Sequence, residues 1–85
     1  MEKVIVRHFQ YKGNAFVIVR NGEWFMAIPK EFIDENGILT KTVHGGYRTI
    51  EELIRTEKMR IDYQELLEKG VEMMEALQQV TAQYF

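Results

Sequence analysis

Asn21-Gly22 lies between the apolar runs VIVR and EWFMAIP, and this junction constrains the fold more than any other feature of the chain. A two-residue Asn-Gly loop favours the positive-φ turn that joins twisted antiparallel strands. With Asn21 and Gly22 as the loop, Arg20 stands opposite Glu23, Val19 opposite Trp24, Val17 opposite Met26 and Ala15 opposite Ile28. The face made by Ala15, Val17, Val19, Trp24, Met26 and Ile28 is then wholly apolar. The opposite face, Phe16, Ile18, Arg20, Glu23, Phe25 and Ala27, is charged only at its turn end. A small sheet needs only one apolar side, so both faces of this hairpin call for cover.

The rest of the chain extends that hairpin. Lys3 to Tyr11 reads as a first strand, and Lys12-Gly13-Asn14 as a turn whose loop holds two or three residues. Pro29 ends the third strand because it lacks a ladder N–H. Ile38 to Val43 reads as a short fourth strand. Thr49-Ile50-Glu51-Glu52 fits a capping box, and Asp62-Tyr63-Gln64-Glu65 a looser one with Ile61 and Leu66 as its staple. These signals predict helices over 50–59 and 63–84, with a single bent helix as the competing reading. Tyr63, Leu66, Leu67, Gly70, Val71, Met74, Leu77, Thr81 and Tyr84 share one face of the second helix, and Met73, Ala76 and Val80 widen it. The expected architecture is α+β: an antiparallel meander sheet of three to four strands followed by a short and a long C-terminal helix. Residues 1–85 are read as one domain, with the sheet in 1–48 and the helices in 49–85.

Composition narrows the chemistry. With 46% apolar residues and a single Pro, the chain has the makings of a packed core. Cys and Ser are both absent, which removes disulfides, thiolate metal sites and two of the usual nucleophiles. His8 in a strand and His44 in a Gly-rich loop show no metal-ligand spacing, and Asp34, Glu35 and Asn36 lack the rest of a calcium loop. No catalytic residue, cofactor or metal site is therefore expected. Arg7 and His8 interrupt the apolar start Val4-Ile5-Val6, and no run approaches the ~20 residues that span a bilayer. The expectation is a cytoplasmic protein with no membrane partner.

Charge is sorted along the chain. Residues 1–30 carry five Lys or Arg against two Glu, while residues 31–85 carry six against eleven Asp or Glu. The acidic half supplies Glu51, Glu52, Glu57, Glu65, Glu68, Glu72 and Glu75 on helices, a candidate surface for a basic partner. A helix over 63–84 runs ~33 Å, longer than a six-residue strand of ~20 Å. The overhang and the second sheet face then make a candidate oligomer interface of Phe16, Ile18, Phe25, Leu77, Val80, Tyr84 and Phe85. A helix over 50–59 folding onto that sheet face would satisfy it equally. With a two-residue first turn, Ile5, Arg7, Phe9 and Tyr11 join the face of Phe16, Ile18, Arg20 and Phe25, and Arg7, Phe9, Tyr11 and Arg20 become a candidate nucleic-acid surface.

In GGYRTIEELI, Gly46, Thr49, Glu51 and Glu52 mark a Gly-rich turn into a T-x-E-E helix start. This step, preceded by a strand hairpin, resembles the small HicB-type antitoxins. IPKEFIDENGILTKTV stands where that family has its proline- and glycine-rich stretch, so no partner or site residue is carried over. The leading expectation is a non-enzymatic, homo-oligomeric binding protein that occupies the surface of a host protein or nucleoprotein complex with its acidic helices. Phage or mobile-element inhibitors of host defence, including anti-CRISPR proteins, are of this kind. The alternative is a nucleic-acid-binding or antitoxin-type regulator that uses the basic-aromatic sheet face.

Overall fold

The computed structural model describes residues 4–36 and 46–85. Three strands, β1 (Val4–Tyr11), β2 (Asn14–Asn21) and β3 (Trp24–Pro29), form an antiparallel sheet in the order β1-β2-β3. A 3-10 turn at Lys30–Phe32 follows, then helices α1 (Ile50–Glu68) and α2 (Met73–Tyr84). This is the expected α+β fold. The candidate fourth strand, 38–43, lies outside the described residues. The chain divides into two compact units, Met1–Leu53 and Ile54–Phe85.

The first turn has two residues. Tyr11 pairs with Asn14, and Lys12 and Gly13 both take positive φ, 48° and 81°. That is the backbone pattern of a type I′ turn. The Asn14 side-chain amide donates to the carbonyls of Tyr11 and Lys12, at 3.3 and 3.2 Å, which helps hold Lys12 in a conformation rare outside glycine.

The second turn corrects the expected register. Asn21 pairs with Trp24, so the loop is Gly22-Glu23, with Gly22 at φ 66°. Glycine first is the type II′ pattern, and it prevails over the Asn-Gly loop. Arg20 consequently faces Phe25, Val19 faces Met26 and Val17 faces Ile28. Each partner moves by two residues, so every side chain keeps its face. Glu23 does not pair across the strands with Arg20; its carboxylate accepts from Arg48 at 3.2 Å.

Both sheet faces are built into the fold. Val17, Val19, Met26 and Ile28 form one buried cluster, with Phe32 and Ile33 packed against it. On the other face Ile18 is 0% exposed and Phe16 5%. A β-bulge between Ile5 and Arg7 shifts the β1 register, so Ile5 faces Val19 and leaves the Arg7–Phe9 face it was expected to join.

The helical region keeps two helices but breaks elsewhere than expected. Thr49 Oγ1 accepts from the Glu52 backbone N–H at 3.1 Å, the N-cap bond of the first capping box. The helix then runs through 60–62 without interruption and ends at Gly70, φ 88°. Gly70 N–H donates to the Leu67 carbonyl and Val71 N–H to the Leu66 carbonyl, both at 3.0 Å, which is a Schellman closure. Asp62 is not an N-cap. It lies inside α1, 6% exposed, and its carboxylate accepts a hydrogen bond from the Tyr84 hydroxyl.

Candidate interaction surfaces

The two-residue first turn brings the basic-aromatic residues together. Phe9 pairs with Phe16, Arg7 with Ile18 and Tyr11 with Asn14, which places Arg7, Phe9 and Tyr11 on the face of Arg20 and Phe25. Arg7 and Arg20 are exposed, while Phe9, Tyr11 and Phe25 are half-buried. The Phe9 and Phe16 rings stack at 5.2 Å with 17° between planes. The floor of this face, Phe16 and Ile18, is buried and offers no ring surface for a base. For the same reason these two residues are not open interface positions, as the overhang argument required.

The acidic residues do not form one face. At about 100° per residue along α1, Glu51, Glu57, Glu65 and Glu68 share a side, but Glu52 falls outside it. Lys58 and Lys69 are interleaved on that side. Glu57 accepts from Arg60 at 2.8 and 3.2 Å, and Glu65 pairs with Lys69 at 3.5 Å. Glu51 and Glu52 occupy the first turn of α1, and Glu75 that of α2, where the helix dipole favours anions. Glu72 is the N-cap residue of α2, without a side-chain cap bond.

The helical hairpin of residues 54–85 leaves an apolar surface open. Ala76, Val80 and Tyr84, spaced by four, make the inward seam of α2; Ala76 is 0% and Val80 1% exposed, and Tyr84 reaches Asp62. Val80 and Tyr84, expected at an oligomer interface, are thus spent within the chain. The flank beside that seam carries Met74 at 62% exposure and Leu77 at 46%; Met73, in line with Val80 at the start of the helix, is 65% exposed and Phe85, just after its end, 76%. Arg55 covers one side of the Phe85 ring, 5.0 Å from its centroid. In the sequence Met74 belongs to the apolar stripe and Met73 widens it. The signal that marks them is the width of that stripe, which exceeds what one helix can bury against another.

Two further features belong to the sheet unit. Arg48 lies 4.4 Å over the half-exposed Trp24 ring while bonding Glu23, and Phe25 and Tyr47 exchange backbone hydrogen bonds at 2.8 Å. A Cβ on Gly46 would lie 3.2 Å from Trp24 Cβ, so the chain passes the indole at a distance that suits glycine. Beside β1, an open recess of about 310 Å³ is lined by His8, Phe9, Gln10, Ala15, Phe16 and Lys30.

Among the described residues no group of three or more His, Asp or Glu is placed to hold a metal ion, and no helix is long and apolar enough to cross a membrane. The Asp34 carboxylate accepts from the Asn36 N–H at 2.9 Å, closing a local turn. No protein-family model, curated protein or solved structure matches the chain.

Proposed function

We propose that this chain is a small non-enzymatic binding protein and that the outer flank of α2 is the surface it lays against a partner protein. The supporting observation is the exposure of Met73, Met74 and Leu77 within the first turns of α2, with Phe85 exposed just past its end. Large apolar side chains exposed close together on one helix are the kind of surface that interaction sites use. Methionine adapts to irregular pockets, and an amphipathic helix laid in a groove is a recurrent recognition mode. The partner therefore presents an apolar groove. Glu72 and Glu75, on either side of Met73-Met74 in the chain, favour a groove with a basic rim. An inhibitor of the anti-CRISPR kind is the form of this reading in which that rim otherwise holds phosphates.

The test is site-specific photo-crosslinking in the native host. A crosslinker at position 77 should trap a discrete protein, whereas one at exposed position 79, on another side of α2, should not. Equal trapping from both positions, or none from 77, ends the proposal.

A second reading has one observation in its favour, the register that sets Arg7, Phe9, Tyr11 and Arg20 on one sheet face. It predicts retention of labelled single-stranded DNA or RNA at low salt, lost in Arg7→Ala with Arg20→Ala. The buried Phe16 and Ile18 weigh against it.

A further inference from the structure

We propose that the outer edge of β1 is a second binding site, which takes an extended acidic segment of polypeptide as an added strand. Among the described residues no strand pairs with this edge, because β1 lies at the end of the sheet. The two-residue turn fixes which groups it offers. Tyr11 and Asn14 form the hydrogen-bonded pair that closes the turn, and pairs alternate along an antiparallel ladder. His8 and Gln10 therefore direct their backbone N–H and C=O groups away from β2. The same alternation, counted from Asn21–Trp24, leaves Phe25 facing outward on β3, and there it does exchange two hydrogen bonds with Tyr47. The sheet already extends itself in this way at its other edge.

The side chains beside this edge determine the occupant. His8 and Gln10 also line the 310 Å³ recess, together with Lys30. Arg7 lies on the opposite face, exposed. The whole hairpin Val4–Gly22 contains Arg7, Lys12 and Arg20 and not one Asp or Glu. An incoming strand thus meets a cationic group on each of its faces, and carboxylates at both odd and even positions match them. Half-exposed Ile5 and Val6 flank the site, and the bulge between Ile5 and Arg7 interrupts the ladder, so the unbroken stretch open to pairing is Arg7–Tyr11. A second copy of β1 does not fit, since it would bring Arg7 and no carboxylate. A nucleic-acid strand would satisfy the cations but has no alternating row of donors and acceptors to match His8 and Gln10.

The experiment uses the full chain and a short capped peptide of valine and threonine with glutamates at both odd and even positions, so that each face carries a carboxylate. Binding should weaken with salt and should slow amide exchange at His8 and Gln10. Gln10→Pro removes one outward N–H without touching a ladder bond, a substitution that edge strands accept. It should leave the far-UV spectrum unchanged and weaken peptide binding by roughly five- to tenfold. Lys30→Glu should weaken binding independently of any backbone effect. If Gln10→Pro fails to fold, exchange protection of His8 and Gln10 in the unaltered chain decides. The proposal fails if the peptide does not bind at low salt, if neither substitution weakens it, or if oligo-dT binds in its place.

Discussion

The sheet and the helical hairpin are both rich in apolar residues, yet they dispose of them differently. In the sheet, Phe16 through Val19 are buried one after another, so both faces of β2 are covered. In α2, Ala76 and Val80 are buried while Met73, Met74 and Leu77 remain open. The contrast follows from geometry. A central strand has only two sides, and each can be covered by one packed layer. A helix in a two-helix unit meets its neighbour along one stripe, and apolar residues beyond that stripe stay in water. Among the described residues the most exposed large apolar side chains, Met73, Met74 and Phe85, therefore lie on or just after α2, while the sheet leaves Ile5, Val6 and Trp24 only about half open.

The contrast can be broken by mutation, and the largest effect is expected in the sheet. Ile18→Ala should cost about 2–5 kcal/mol in urea unfolding, because the side chain is fully enclosed. A loss near that of a surface residue would show that the face is not packed. Next, Tyr84→Phe should cost about 1–3 kcal/mol by removing a donor from the buried Asp62 carboxylate. An unchanged unfolding midpoint would mean that this bond does not fasten the hairpin.

Smaller still is the expected penalty for Gly70→Ala, about 1–2 kcal/mol. It comes from the positive φ alone, since the added Cβ meets nothing within 4 Å. Gly70→Asn should then recover part of the loss, and thermal melts of the two variants make the comparison. Met74→Ala and Leu77→Ala should change stability by less than about 0.5 kcal/mol while weakening partner capture. A large stability loss in either would place the flank in the core and remove the proposed binding surface.

Much of the fold was legible locally. Turn chemistry located both hairpins, and because the register error at Asn21 was an even number of residues, the predicted faces survived it. Thr49 was legible as a cap because its partner, Glu52, is three residues away. Asp62 carries an equally good local signal and is nevertheless not a cap. Its partner, Tyr84, is 22 residues distant, and a carboxylate engaged there leaves the helix free to continue. Of the candidate interface, Leu77 and Phe85 were legible as exposed apolar positions, whereas Phe16, Ile18 and Val80 were not recognisable as buried. Apolar periodicity shows which residues share a side, not which of them another element reaches.

Sequence alone determined the three strands, the positions of their two turns, the faces of the β2–β3 hairpin and the N-cap of α1. All of these depend on forces acting within a few residues: positive φ, side-chain alternation and backbone hydrogen bonding. Only tertiary structure decided that Asp62 is an interior acceptor and that Met73, Met74, Leu77 and Phe85 lie in water. Those outcomes turn on which distant surfaces meet, and contact over such separations leaves no periodic trace in the chain.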